Sequence, residues 1–246
     1  MLFRSDEKII KSRKRVQDYG EVFTPLSTVK NMLDQSEIRD GTESITTTFL
    51  EPSAGEGAFL VEILRRKMKV ALSQSKSADE FDDKSLVALS TLYGIELMED
   101  NVEMLVMNMF SQFSFDYQSG IKQLGGSPNK EVLESAKVII QTNMVQGNAL
   151  TKIDGDGNPI IFSEWQLLPI VGNIKHQRVQ RLEYTFQDIL DGKEKSQGVL
   201  THKDSEELDL FDFLDEDYNP EEEEQDIKKQ YAPVRITKVY KKELEG

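Results

Sequence analysis

The sequence predicts an α/β fold with a mainly parallel sheet and helices on both faces. Thr46–Leu50 is β-branched and apolar, which predicts a buried strand of a parallel sheet. A loop with two glycines follows, and residues 58–68 then carry apolar side chains at helical spacing. Two later stretches, 91–97 and 138–150, predict a second strand that ends in an acid and a third strand that ends in a polar turn.

Composition limits the chemistry that the chain can perform. Its 246 residues suffice for one α/β domain with a full core. The absence of cysteine excludes disulfides, thiolate metal sites and cysteine nucleophiles, and with them covalent cytosine-C5 methylation. His176 and His202 cannot form a metal cluster alone, so we expect no metal. We find no signal peptide or long apolar run, which predicts a soluble, cytoplasmic protein without membrane contact.

The net charge of −14 comes from one segment. Residues 204–226 contain thirteen acidic residues and no basic one, so the rest of the chain has a net charge of −1. A nearly neutral body leaves contact with nucleic acid possible. Because leucines and phenylalanines interrupt the acidic residues, this segment is either an amphipathic docking segment or a disordered one.

These features divide the chain into four parts. Residues 1–19 are a basic arm that contacts DNA phosphates or a solvated helix. Residues 20–200 form the α/β domain, 201–229 are an acidic linker or docking segment, and 230–246 can return as a strand. Between the motifs, the sequence predicts a helix over 28–35 capped by Ser27, a polar connection over 37–45, an exposed loop over 73–84, a helix over 100–113 and a strand over 179–186.

The glycine loop has the composition of a nucleotide pocket. Gly55 and Gly57 allow positive φ angles and let a ligand lie against bare backbone. The first turn of the following helix offers free N–H groups. Glu51 and Glu56 add negative charge, which argues against a pyrophosphate and for a ligand that carries an ammonium or sulfonium and free ribose hydroxyls.

Two polar residues at later strand ends complete this expectation. Glu96 can accept both ribose hydroxyls of an adenosine cofactor, or it is only a charge at a helix N-terminus. Its separation from Gly57 is nearly twice the roughly 20 residues usual in dinucleotide folds, which we attribute to a polar insertion over 73–84. Asn148 either presents its amide to the adenine edge or forms a plain turn.

Four motifs in this order resemble the adenine-N6 DNA methyltransferases, above all the modification subunits of restriction systems. They are Gly20–Pro25, Glu51–Gly57, Tyr93–Glu96 and Gly147–Leu150. The match covers about residues 18–150. It implies a Rossmann-like class I S-adenosylmethionine-dependent methyltransferase fold, and methyl transfer to adenine N6 in DNA as part of a restriction–modification system.

The resemblance also implies roles for individual residues. Thr24 and Pro25 would lie at the methionine end of S-adenosylmethionine, Glu96 at its ribose and Asn148 at its adenine. The amino-acid portion would contact Glu51 and the loop residues Ser53, Ala54, Gly55 and Gly57. Phe23, Pro52, Leu97 and Ala149 complete the predicted cofactor site.

The catalytic loop of that family has no direct counterpart here. Adenine methylation uses an Asp/Asn-Pro-Pro-Tyr/Phe loop, in which polar acceptors polarise the exocyclic amine and an aromatic ring stacks on the flipped base. The nearest segment gives Asn158, Pro159 and Phe162 as candidate catalytic residues, with one proline and with the aromatic residue one position late. A hairpin turn is the alternative interpretation.

The expected partners are DNA and a specificity subunit or another protein that docks through the acidic segment. The alternative function is a catalytically silent homologue that binds the cofactor or another protein without transferring a methyl group.

Overall fold

The structure is a computed structural model that describes residues 10–172, 175–192, 230–242 and 244–245. Its helices are α1 (Arg13–Tyr19), α2 (Leu26–Leu33), α3 (Ser36–Thr42), α4 (Ala58–Ser73), α5 (Ala78–Ser90), α6 (Glu99–Gln123), α7 (Lys130–Asn143) and α8 (Phe186–Asp191). Its strands are β1 (Phe49–Glu51), β2 (Leu92–Glu96), β3 (Met144–Gln146), β4 (Ile161–Leu167), β5 (Arg178–Thr185), β6 (Gln230–Tyr231), β7 (Val234–Arg235) and β8 (Leu244–Glu245). The predicted acidic segment 201–229 and residues 1–9 lie outside the described residues.

The first three strands form a parallel sheet in the order β1-β2-β3. Glu51 pairs with Gly94, so the carboxyl ends of β1 and β2 lie side by side. Among the described strands β1 pairs with β2 alone, and Leu50 is 40% exposed. β1 is therefore an edge strand, whereas the sequence predicted a buried one.

The two faces of this sheet are covered differently. Leu92 and Met144 pack into the larger core together with buried residues of α2, α4, α5, α6 and α7. Ile95, which points to the opposite face because strand side chains alternate, packs against Phe162 and Phe186. The second face therefore carries the start of β4 and the start of α8, whereas Trp165 and Val179, farther along the β4–β5 hairpin, belong to the larger core. The complete Rossmann-like sheet with helices on both faces stays a prediction.

The antiparallel strands pair with part of the C-terminal described segment, since β7 pairs with β5. β4 and β5 pair from Ile161 and Thr185 to Leu167 and Val179, and β7 pairs with β5. The prediction of a strand over 179–186 is thus confirmed within one residue, and part of 230–246 does return as a strand. None of the helices in the described ranges combines the length and the apolar composition that a membrane crossing requires.

The third strand is shorter than predicted. Val138–Ile140 lies in α7, where Ile139 and Ile140 are buried, and β3 begins only at Met144. Asn129 caps this helix by accepting a hydrogen bond from the amide of Glu131 at 3.0 Å. The apolar run is therefore one face of a helix and not an extended segment.

A helix replaces the exposed loop that was predicted for 73–84. Ser77 caps α5 through the amide of Glu80 at 3.2 Å, and Phe81 and Asp83 are buried. The connection from β1 to β2 thus contains two helices, α4 and α5. This second helix, and not a polar insertion, accounts for the long separation between the glycine loop and Glu96.

Two smaller predictions near the start are also wrong. α2 begins at Leu26 with Pro25 at the N-cap position, two residues before the Ser27 cap that was predicted. Residues 36–42 form α3, within what was predicted to be a polar connection. By contrast, the helix after the glycine loop is confirmed as α4, and the helix predicted over 100–113 is confirmed but extends to Gln123.

Candidate functional site

A cavity of about 650 Å³ opens where the glycine loop, residues 22–26 and α6 meet. Eight of the predicted cofactor residues line it: Phe23, Thr24, Pro25, Glu51, Ser53, Ala54, Gly55 and Gly57. We call this cavity the cleft. The structure thus brings together two motifs, one before and one after β1, that sequence spacing alone could not join.

The sequence did not predict the wall of the cleft that α6 forms. It consists of α6 residues Asn108, Ser111, Gln112 and Phe115. Phe115 is 70% exposed, which is unusual for so large an apolar side chain. Asn108 donates a hydrogen bond from Nδ2 to the carbonyl oxygen of Glu56 at 2.9 Å, which fixes α6 to the glycine loop. In the sequence, the available sign of this wall was Phe115, a large apolar residue at a position of α6 that lies off its buried face.

The glycine loop requires its glycines. Gly55 and Gly57 have φ angles of +54° and +92°. A Cβ atom on Gly57 would lie 2.5 Å from Cδ1 of Leu105, so α6 packs directly against the backbone there. The amide of Ala54 donates to the carbonyl of Ile95 at 2.9 Å, which anchors the loop to β2.

Glu96 lies directly behind the glycine loop. Its Oε2 accepts the amide of Gly55 at 2.8 Å, and its Oε1 accepts the amide of Met98 at 3.0 Å and Nδ2 of Asn101 at 3.2 Å. Only 8% of Glu96 is exposed, and it is not among the residues that line the cleft. The carboxylate therefore adjoins the cleft and also holds the loop in place.

Glu51 presents a second carboxylate at the end of β1. It is partly buried and lines the cleft. Burial raises the pKa of Glu51, and the hydrogen bond from the Ser53 backbone only partly opposes this shift. In the part of the chain that the structure describes, no basic side chain forms an ion pair with Glu51. A cationic ligand would supply the missing opposite charge.

Two basic residues before Gly20, Lys11 and Arg15, contact the protein's own carboxylates. Lys11 Nζ lies 3.0 Å from both Glu56 Oε1 and Asp100 Oδ2, and 5.7 Å from the ring centroid of Phe23. Arg15 binds both carboxylate oxygens of Asp100, with Nη1 2.8 Å from Oδ2. Hydrogen bonds from Arg15 hold the pKa of Asp100 well below its usual range. These two side chains are therefore neither a solvated helix face nor free for DNA phosphates.

Four predicted cofactor residues lie away from the lining of the cleft. Asn148 accepts the amide of Leu150 on Oδ1 at 2.9 Å, which is the geometry of a turn-forming asparagine. Ala149 packs with the smaller apolar cluster around Ile95. Leu97 is 45% exposed, and Pro52 is exposed in the turn after β1. Their roles in cofactor binding stay predictions.

The candidate catalytic residues form a hairpin turn on the second face of the sheet. Asp154 accepts the amide of Asn158 on Oδ1 at 2.8 Å, and Pro159 pairs with Ile153. Phe162 is 2% exposed, and its ring lies edge-on to Tyr93 with centroids 5.5 Å apart. Pro159 lines a separate cavity of about 420 Å³, and Phe162 lines another of about 460 Å³, so neither residue lies at the cleft.

The cleft offers hydrogen-bond donors and negative charge to a ligand. Bare loop backbone, a helix N-terminus and carboxylates at two adjacent strand ends all lie within one region. Comparisons with protein-family models, curated proteins and solved structures found no match for this chain. The case for a function therefore rests on the geometry of the cleft and on the motifs of the sequence.

Proposed function

We propose that the chain binds S-adenosylmethionine in the cleft and takes part in methyl transfer to adenine N6 in DNA, as part of a restriction–modification system. The hydrogen bond from Gly55 to Glu96 carries this proposal, since it joins a glycine loop to an acidic strand end 41 residues away. This pairing is what a nucleoside cofactor needs in an open parallel sheet.

The charges favour this cofactor over a dinucleotide. Glu51 and Glu56 both line the cleft, and Glu51 has no described cation beside it. A sulfonium and an ammonium gain from these carboxylates, whereas a pyrophosphate would be repelled. The exposed ring of Phe115 adds apolar surface for the methionine chain or for the base.

A second candidate is a cofactor-binding homologue without transfer activity. The burial of Phe162 favours it, because a stacking aromatic must expose a ring face to the flipped base. If the chain is an active methyltransferase, Asn158 and Pro159 must reach the base after a rearrangement, or a partner must supply the aromatic residue. DNA, a specificity subunit and docking through 201–229 belong to the same proposal.

Calorimetry with S-adenosylmethionine tests the cofactor. We expect the wild-type chain to bind it, and Glu96→Ala to weaken binding about tenfold or more, since hydrogen bonds to a charged group are lost. Glu103→Ala is the matched control, because Glu103 is exposed on α6 and away from the cleft. Thermal melting must show that both variants are folded. Absence of binding to the wild-type chain would contradict the proposal.

Transfer is tested separately with S-adenosylmethionine labelled on its methyl group. Label appearing in adenine of duplex DNA, alone or with a specificity subunit, supports the enzyme, and Asn158→Ala should then lower the rate. Cofactor binding without transfer in the presence of that partner supports the silent homologue.

Deleting residues 204–226 should abolish assembly with the partner. Unchanged assembly would contradict a docking role for that segment.

A further inference from the structure

Glu21 has a buried carboxylate oxygen that lacks a hydrogen-bond donor. Its side chain is 9% exposed, and its Oε2 has no partner among the residues that the structure describes. The other oxygen, Oε1, accepts Nδ2 of Asn101 at 2.6 Å. An ionisable group buried with one oxygen unsatisfied is costly, so this oxygen invites a donor from outside the chain.

Asn101 joins Glu21 to Glu96. Its Nδ2 donates both to Glu21 and, at 3.2 Å, to Oε1 of Glu96. Its Oδ1 accepts Nζ of Lys11 at 2.5 Å, and this contact fixes which end of the amide faces the two acids. Asn101 is 1% exposed, so the two carboxylates are held beside each other from within the protein.

Glu96 alone has too few free acceptor positions for a sugar diol. A carboxylate offers about four acceptor positions. In Glu96, the amides of Gly55 and Met98 and the side chain of Asn101 already fill three of them. The one position left can accept a single hydroxyl. Among the described residues of this hydrogen-bond network, Glu21 Oε2 is a buried acceptor without a donor.

The local charge selects against phosphorylated ligands. Among the described residues, the carboxylates of Glu21, Glu56, Glu96 and Asp100 are connected to two cations, Lys11 and Arg15. A hydroxyl or amine can donate to the excess negative charge, whereas a 2′- or 3′-phosphate would be repelled. The ligand class is therefore a nucleoside with free sugar hydroxyls.

We propose that Glu21 and Glu96 bind the vicinal hydroxyls of the nucleoside sugar, one hydroxyl on each carboxylate. This rests on the proposed function, since the nucleoside would be the adenosine of S-adenosylmethionine. Arg15 Nη1 lies 3.5 Å from Oε1 of Glu21, so Oε2 is the oxygen that the described contacts leave without a donor. Glu21, which like Glu96 adjoins the cleft without lining it, is then a binding residue to which the methyltransferase motifs assign no role.

Calorimetry with S-adenosylmethionine, adenosine, 2′-deoxyadenosine and 3′-deoxyadenosine tests this assignment. We expect the wild-type chain to bind adenosine about tenfold more tightly than either deoxynucleoside. Glu21→Gln should remove discrimination against one deoxynucleoside, and Glu96→Gln should remove discrimination against the other. Glu21→Gln keeps the shape of the side chain and so avoids the risk that Glu21→Ala does not fold. Glu37→Gln, on the exposed face of α3, is the control.

The outcomes separate the inference from the proposed function. One outcome is that Glu21→Gln is folded, leaves every affinity unchanged, and leaves unchanged the ratio of adenosine affinity to that of each deoxynucleoside, while S-adenosylmethionine still binds. Glu21 then has no part in binding, and the cofactor proposal stands. If adenosine binds with the expected dependence on Glu21 but S-adenosylmethionine does not bind, the sugar site stands and the cofactor proposal fails. If none of the four probes binds the wild-type chain, both are overturned.

Discussion

The backbone amide of Gly55 lies 2.8 Å from Oε2 of Glu96. The shape of the glycine loop and the position of the carboxylate are therefore linked. A substitution that distorts the loop should displace Glu96, and loss of Glu96 should loosen the loop.

Gly57→Ala should destabilise the protein by about 2 kcal/mol or more, because it adds both backbone strain and a clash with Leu105. Gly125→Ala is the matched control. Gly125 also has a positive φ, +71°, but a Cβ atom there meets nothing within 4 Å, so we expect a cost of about 1 kcal/mol. Urea unfolding of both variants measures the difference, and equal costs would contradict the role assigned to Leu105.

Binding of S-adenosylmethionine should weaken as the pH falls through the raised pKa of Glu51. Burial raises this pKa, so protonation removes the carboxylate charge at a higher pH than for an ordinary glutamate. A cationic ligand favours the ionised form, and protons therefore compete with it. In Glu51→Gln we expect weaker binding that no longer changes over the same pH range. Calorimetry in an acidic pH series measures both, and an identical pH dependence in the variant would contradict this role.

Lys67 should make stability rise with pH above neutrality. It is fully buried, and burial lowers its pKa to about 7, although it donates to the Thr47 carbonyl and to Thr91 Oγ1. The unfolded chain, with a lysine pKa of about 10.4, then binds more protons between pH 7 and 10. The contribution of Lys67 to the free energy of unfolding therefore increases between pH 7 and 10, by at most about 1.4 kcal/mol per pH unit. Below pH 7 this contribution stays constant.

Urea unfolding at pH 7, 8 and 9 checks this, with Lys67→Met against the wild-type chain. The unfolding free energy of the wild-type chain, relative to that of Lys67→Met, should rise from pH 7 to pH 9. Lys69→Met is the control, since Lys69 is exposed on the same helix. A pH-independent difference for Lys67→Met would show that the folded lysine keeps an ordinary pKa.

Substitutions at Asn148 can separate its turn role from a cofactor role. Oδ1 is used by the amide of Leu150, whereas Nδ2 has no acceptor among the described side chains and backbone. Asn148→Asp keeps the turn acceptor and removes the amide donor, so an adenine contact predicts about tenfold weaker cofactor binding at nearly unchanged stability. Asn148→Ala should lower both. Full affinity in Asn148→Asp would leave only the turn role.

Local chemistry predicted the segment around the glycine loop well. β-branched residues, two glycines and apolar residues at helical spacing each point to β1, the loop and α4 without help from distant residues. The predictions failed where local and long-range signals differ. Val138–Ile140 has a strand composition but packs as a helix face against the sheet, and the charges of 79–84 hid α5, whose Asp82 and Asp83 are buried.

The candidate site was predictable only in part, for a similar reason. From the motifs, the sequence predicted the glycine loop, its partner Glu96 and the segment from Phe23 to Pro25 as parts of one site. The far wall from α6 and the contact of Glu21 with Asn101 arise from tertiary packing between residues about 80 positions apart. Phe162 was chosen from its spacing, which contains no information on the burial of its ring.

Asp83 connects parts of the chain that flank residues 193–229. Its Oδ2 accepts the amide of Gln177 at 2.8 Å, and its Oδ1 lies 3.1 Å from Nε of Arg235. β7 adds backbone pairing with β5. A protease that nicks the chain between Gly192 and Gln230 would therefore leave two fragments that co-elute as a noncovalent complex, and the C-terminal peptide should dissociate from it only under denaturing conditions.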